Sequence, residues 1–404
     1  MLSVIRTRGL ARARHAALAA LLTVCVATAA PAAQSSDPDP AAAPADAPEG
    51  NGNGSPEAAT PGNGAAESPL VEFFRQTEVY GLVDAYYLWS VNGGAPQLRN
   101  FDVNHNTFSL NYGEIAFAKA ATEASRAGFR VDFGAGDTAD MVNSFEPGGT
   151  DYLKYVQQAY VTYLAPVGNG LTIDFGKFVT PAGAEVIENK DNFNYSRGLL
   201  FSLAIPYYHT GARIGYAVND AVSVTGFILN GWNAVIDNND AKTVGLSIAT
   251  KPTDRLGLTA NYLVGQESLP GEDSTRNLID VVASYSVSDR LALLANFDYG
   301  RDSVSALDVD WYGVALGARY QVNDVFALAP RYEIFRDDEG FATGLTQTLQ
   351  EVTLTAEYQA AAGFLTRFEF RTDFSNEDFF EKDGGFRSTQ PTLGVAVIYS
   401  FGTK

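Results

Sequence analysis

The chain has 404 residues, with 47 acidic side chains against 28 basic ones and a net charge of −19. That balance argues against a nucleic-acid partner, whose phosphates need a basic patch. Tyr, Phe and Gly are plentiful while Met and Cys are nearly absent, and no long apolar run follows the N-terminus. The composition therefore points to strands and excludes a membrane-crossing helix in the mature chain.

Residues 1–33 read as an export signal. Arg6, Arg8, Arg12 and Arg14 form a basic start, and Ala16 to Ala29 an apolar stretch. Small residues at Ala27-Thr28-Ala29 and Ala30-Pro31-Ala32 suit a signal peptidase. Cleavage removes those four arginines and Cys25, leaving a charge of about −23 and neither disulfide nor thiol nucleophile. Residues 34–68 carry Ala, Pro, Gly, Asn and six acids, with no Lys, Arg or aromatic. Such a segment cannot bury enough to offset ordering entropy, so it is expected to be a disordered acidic linker. Ser68-Pro69 resembles an N-cap and first-turn pair, opening a short helix over 69–77.

From Val79 onward apolar and polar residues alternate almost without a break. Strands are predicted at 78–90, 107–120, 126–134, 156–164, 171–175, 210–217, 221–230 and 242–250. They continue at 255–265, 278–288, 290–300, 310–321, 324–335, 348–358, 363–374 and 390–401. Between residues 178 and 210 the alternation stops, and this is by far the longest connection. Lys177 is out of phase with Asp174, which predicts a bulge there. Short links such as Asn219-Asp220, Ser288-Asp289 and Asn323-Asp324 take turns with longer polar ones. About sixteen strands, with a range of 14–18, joined in that manner describe a closed antiparallel up-and-down barrel over 78–404, with short periplasmic turns and long external loops.

The placing of the aromatics decides for lipid over water. Tyr87, Trp89, Tyr163, Tyr216, Tyr262, Tyr285, Tyr299, Tyr312, Tyr320, Tyr332, Tyr358 and Tyr399 sit near strand ends on the apolar face. Rings with a polar tip favour the lipid–water boundary and would form two girdles. Full charges fill the other face, as with Arg367, Glu369, Arg371 and Asp373. A soluble sandwich would show the alternation but not the girdles.

The stretch Gln157-Gln-Ala-Tyr-Val-Thr-Tyr-Leu-Ala-Pro-Val-Gly-Asn-Gly-Leu-Thr-Ile-Asp-Phe-Gly-Lys-Phe-Val-Thr-Pro-Ala-Gly-Ala-Glu-Val-Ile-Glu188 resembles the OmpL-like β-barrel porin family of outer membranes. So do Asp191-Asn-Phe-Asn-Tyr-Ser-Arg197 and Ala204-Ile-Pro-Tyr-Tyr-His-Thr-Gly211. The resemblance implies a bacterial outer-membrane barrel that passes small solutes. Its partners would be membrane lipid, lipopolysaccharide, the barrel insertion machinery and, for a pore of this size, two further copies in a homotrimer. One departure is that Gly402-Thr-Lys404 follows Phe401, where such barrels commonly end on an aromatic.

Around sixteen strands leave an interior wide enough for water. The loop 180–208 is expected to fold inward and narrow it, with Glu185, Glu188, Lys190, Asp191 and Arg197 meeting wall charges. Those wall charges are Arg130, Asp132, Arg213, Arg331, Glu333, Arg367, Glu369 and Arg371. Acid facing base across a constriction would select by size and charge. The blander reading is that Arg197 and the two loop glutamates pin the loop to the wall by ion pairs. Asp337-Asp338-Glu339 and Glu377-Asp378 read as solvated loop charge. No cofactor or metal is expected, since ligand spacings and phosphate-binding glycine loops are missing from the pattern. A barrel with a plugged lumen and a structural or adhesive role is the rival reading. A hydrolase built on a Ser–His pair is a minor one, His105 and His209 being the only histidines beyond the signal.

Overall fold

The structure is a computed structural model. It describes residue 73 and residues 75–403, apart from 145, 147–150, 268–273 and 305–306. The expected signal 1–33 and linker 34–68 lie outside these residues. Of the expected helix 69–77, Phe73, Arg75 and Gln76 are helical. The Phe73 ring stacks on Phe129 with centroids 5.8 Å apart.

Sixteen strands close into one antiparallel barrel. They are β1 (Glu78–Ser90), β2 (Phe108–Lys119), β3 (Ala127–Ala135), β4 (Val156–Ala165), β5 (Leu171–Val179), β6 (Tyr208–Asn219), β7 (Val222–Leu229) and β8 (Thr243–Thr253). Then come β9 (Leu256–Gly265), β10 (Arg276–Ser288), β11 (Leu291–Val304), β12 (Leu307–Asn323), β13 (Phe326–Asp337), β14 (Gln347–Ala361) and β15 (Phe364–Ser375). A small hairpin, β16 (Phe380–Lys382) with β17 (Gly385–Arg387), precedes the last wall strand, β18 (Thr389–Gly402). Each wall strand pairs with its neighbour in sequence, and β18 closes the ring between β15 and β1. Closure pairs the backbone and leaves no edge in hydrocarbon.

The period of two puts one row of side chains outside and the next within. On β15 Phe364, Phe368 and Phe370 are exposed on the outer face, while Arg367, Glu369 and Arg371 are buried inside. Phe175 at 68% and Val161 at 60% exposure mark the same outer belt. Girdle hydroxyls find partners on the next strand or link. Tyr87 donates to Asn106 Oδ1 at 2.6 Å, Tyr262 to Asn277 Oδ1 at 2.7 Å, and Tyr332 to Gln350 Oε1 at 2.7 Å.

Four local expectations are corrected. The strand at 171–175 runs on to Val179, and its partner starts at Tyr208 rather than at 210. No bulge forms at Lys177, because pairing to β6 runs through it and pairing to β4 reaches it, both without a shift. Its amine donates to Asn143 Oδ1 at 3.0 Å and lies 4.1 Å from the Tyr208 ring centre, so the segment after β3 covers it. The link after β11 is two residues long rather than a long external loop, because both strands continue upward, paired as far as Val304 and Leu307. Asp337 is not a solvated loop charge. It is buried and accepts the backbone N–H groups of Phe341, Ala342 and Thr343 at 2.8–3.0 Å.

Two short helices went unread in the sequence: α1 (Asp137–Val142) and α2 (Leu199–Leu203). Both reach an apolar cluster inside the barrel. Leu199, Leu200, Phe201, Ile205 and Tyr207 pack there with Phe101, Val142 and the inward-facing Leu82, Phe178, Leu229, Trp311 and Phe335.

Candidate functional site: the lumen and the segment across it

Residues 180–207 leave β5 and return to β6. Between those points they bond to strands all around the interior. Asn261 on β9 donates to Pro181 O at 2.8 Å, and the N–H of Ala184 donates to Asn296 Oδ1 on β11 at 3.2 Å. Asn189 donates to Asp84 on β1 at 2.7 Å, and the Tyr195 hydroxyl reaches the other oxygen of Asp84 at 3.0 Å. Asn194 donates to Ala329 O on β13 at 2.9 Å and to Thr355 Oγ1 on β14 at 2.8 Å. The Trp311 indole on β12 donates to Ala204 O at 3.0 Å.

The strongest attachment is to β13–β15. Here wall charges serve the backbone of the segment. Glu369 accepts the N–H groups of Tyr195 and Ser196 at 2.6 and 3.0 Å, and Glu333 accepts that of Leu200 at 3.0 Å. Arg331 donates to Ser196 O at 2.7 Å, and Arg371 to Arg197 O at 2.6 Å. Arg367 donates to Asn189 O at 2.7 Å and also to Asn192 O. Each arginine keeps an acidic partner. Arg331 pairs with Glu351 at 2.8 Å and Glu185 at 2.6 Å, Arg367 with Glu357 at 2.9 Å, and Arg371 with Asp373 at 2.7 Å. Charge-assisted bonds of this kind are roughly twice as strong as neutral ones. A side chain at Gly198 would meet the Glu333 carboxylate, which must then shift from its bonds to Leu200 and Arg331.

Among the described residues one ion pair links the segment to the wall, Glu185 to Arg331, and neither Arg197 nor Glu188 takes part in one. Arg197 donates to the Asn189 side chain, to Ile187 O and to Tyr195 O, and its guanidinium lies 4.6 Å from the Phe101 ring centre. No carboxylate among the described residues lies within ion-pair distance of it. Burial pushes its ionisation down from the ordinary arginine range. It fastens the segment to itself.

Of the other expected residues, Arg130 pairs with Asp132 along β3 at 2.8 Å, and Arg213 on β6 pairs with Asp174 on β5 at 2.6 Å. Lys190 pairs with its neighbour Asp191 at 2.6 Å. Glu188 lies close enough to Arg130, Asp132 and Asp191 to feel their charge, and burial raises its carboxyl above the usual range. Thus Arg331, Glu333, Arg367, Glu369 and Arg371 are gathered at one docking surface. Arg130, Glu188, Lys190, Asp191 and Arg213 stay apart from it and partly open. A cavity of about 150 Å³ lies between the segment and β10–β13, with Glu185, Asp191, Asn194, Ser284, Asn296 and Glu333 among its lining. His209 bonds Gly231 O at 2.9 Å and Thr180 Oγ1 at 3.2 Å, so its ring is occupied by structural partners.

Sequence reasoning missed Asp84, which accepts bonds from Asn111, Asn189 and Tyr195. It also missed Glu351 and Glu357, the acids that hold the wall arginines. All three sit on strand faces already recognisable as polar. What was not visible is which inward charges the segment would reach.

A closed antiparallel barrel, apolar outside and charged inside, defines a transmembrane β-barrel of the porin class. The profile of the family described as "Putative beta-barrel porin-2, OmpL-like" matches residues 76–401. The chain belongs to that family and is a porin-type barrel of the bacterial outer membrane. Among solved structures it is similar to the outer membrane channel DcaP of Acinetobacter baumannii (TM-score 0.54, 12% identity, 80% of this chain and 97% of that one). It is similar also to the anion-selective porin from Comamonas acidovorans (0.56, 11%, 80% and 99%) and to OmpT of Vibrio cholerae in its trimer form (0.55, 13%, 80% and 99%). At these identities the likeness concerns the fold. No curated protein matches the chain in sequence.

Proposed function

We propose that this porin passes small hydrophilic solutes and ions by passive diffusion, through a lumen narrowed by residues 180–207, with a mild preference for cations. The observation that carries it is the set of bonds tying that segment at once to β1, β9, β11 and β13–β15. The cation preference follows from the acid excess of the chain, 47 acidic side chains against 28 basic ones. The chain acts without catalysis. We infer that it sits among lipid and lipopolysaccharide after delivery by the barrel insertion machinery. A homotrimer is the assembly we favour, because one neighbour of the same fold is described as a trimer.

A second reading, a plugged barrel with a structural or adhesive role, is favoured by the apolar cluster that α2 makes within the lumen. Planar-bilayer recording separates the two. Unit conductance steps with a cation-shifted reversal potential are expected for the whole chain. Steps that appear only after residues 195–206 are replaced by a short Gly-Ser link support the plugged reading. Anion selectivity overturns the cation preference.

A further inference from the structure

Three wall strands carry the same inward order of side chains near their external ends. It reads Arg276, Leu278, Asp280 on β10, Glu333, Phe335, Asp337 on β13, and Gln347, Leu349, Glu351 on β14. Each time one buried apolar residue stands between two polar ones. Register joins the apolar positions into a layer. Leu278 stands opposite Leu263 of β9 and Gly300 of β11, Gly300 opposite Trp311 of β12, and Phe335 opposite Leu349. The Trp311 ring lies over Gly300, in the place a Cβ would take. Elsewhere around the barrel, Leu82 of β1, Tyr112 of β2 and Phe178 of β5 belong to the same buried cluster.

The middle of this layer is filled by chain that is not wall. Phe101, from the link after β1, meets Phe201 at 5.6 Å and Tyr207 at 5.5 Å between ring centres, and those two rings meet each other at 5.5 Å. Leu200 of α2 lies against Gly313 of β12, closer than a Cβ there would allow. Asn100 ties the two loops together, donating to Ser202 O at 2.8 Å and to the Tyr207 hydroxyl at 2.7 Å. Phe101 and α2 therefore form one leaf. Arg197, lying against Phe101, directs both terminal nitrogens to Asn189 and to carbonyls of its own segment. An ion entering a layer without water or polar partners gives up its hydration and receives nothing in return.

We propose that this layer is an apolar gate. The lumen is dry and closed to ions where the leaf of Phe101 and α2 lies against the ring of Leu263, Leu278, Trp311, Phe335 and Leu349, and it conducts when water enters between leaf and ring. Apolar constrictions close channels in this way, by losing their water rather than by blocking with a charge. The inference rests on the pore reading above and adds where, and by what physical means, the pore shuts. It also explains why a single apolar row interrupts inward faces that are otherwise polar.

The test is single-channel recording of the full chain in a planar bilayer. The wild-type channel should stay shut most of the time and open in short bursts. Leu278→Asn puts an amide into the ring at nearly constant bulk, and should raise the open fraction several-fold while unit conductance stays the same. Leu278→Ala removes packing but leaves the ring apolar, so it should raise the open fraction far less. Leu349→Asn and Leu349→Ala repeat the comparison on β14 should the first pair fail to insert. Equal effects of Asn and Ala assign the change to lost packing and overturn the gate. A wild-type current that is steady and free of closures overturns it too, and leaves the pore reading standing. Silence in wild type and in every variant overturns both.

Discussion

The wall of β13–β15 and the wall of β9–β11 are built from the same alternation, yet their inward charges have opposite fates. On the first, Arg331, Arg367 and Arg371 each hold an acid and a carbonyl of the crossing segment. On the second, Asp280 and Asp298 face one another, and among the described residues neither has a cation within ion-pair distance. An inward charge is thus not the same thing as a charge that lines a pore. What decides is the partner it finds, a counter-ion and a backbone carbonyl on the first wall and side-chain amides on the second.

Breaking the first wall should have the largest effect. Arg331→Leu takes the cation from Glu185 and Glu333 and leaves Glu351 only Arg371 at 3.6 Å, and removing one partner from such a buried network costs about 3–5 kcal/mol. Thermal unfolding in detergent should show a lowered midpoint, and planar-bilayer recording a larger, noisier conductance. An unchanged midpoint would mean that the docking adds nothing to stability.

Gly198→Val comes next. Its side chain meets the Glu333 carboxylate, so the carboxylate or the backbone must shift and the bond to Leu200 is lost, at a cost of about 1–3 kcal/mol. Stability should fall less than in Arg331→Leu, while conductance changes by a similar amount. Wild-type currents from this variant would place residues 195–200 away from the conducting path.

The smallest effect concerns Glu188, which belongs to neither wall. Burial raises its carboxyl, so it takes up a proton at a higher pH than an ordinary glutamate. As pH falls through that raised value the group loses its negative charge, and the neighbouring Arg130 and Lys190 weigh more heavily. The reversal potential should therefore move towards anions on acidification. Glu188→Gln should start from the acid-side value and lose this step. The same sign governs stability: the folded chain binds the proton more tightly than the unfolded one, so this contribution grows as pH falls.

Most of the barrel was legible in the sequence because a period of two and a short turn are local signals. The row at Arg367, Glu369 and Arg371 announced an inward face by its spacing alone, and all sixteen wall strands overlap the predicted ones. The interior was harder to read. Leu199–Leu203 is too short for a helical period to show, and it turns only where Gly198 and Glu333 meet across a gap of more than a hundred residues. Asp337 looked solvated because three adjacent acids resemble surface charge. Only the return of Phe341–Thr343 over it supplies the donors.

A cylinder one sheet thick resists stretching along its strands but flattens easily under sideways load. Residues 180–207 act as a strut across this one, tying β5 and β6 to β13–β15 and touching β1, β9 and β11 on the way. With the strut seated, the cross-section keeps its shape when lipids press on it. An oval barrel is the form expected once those ties are cut.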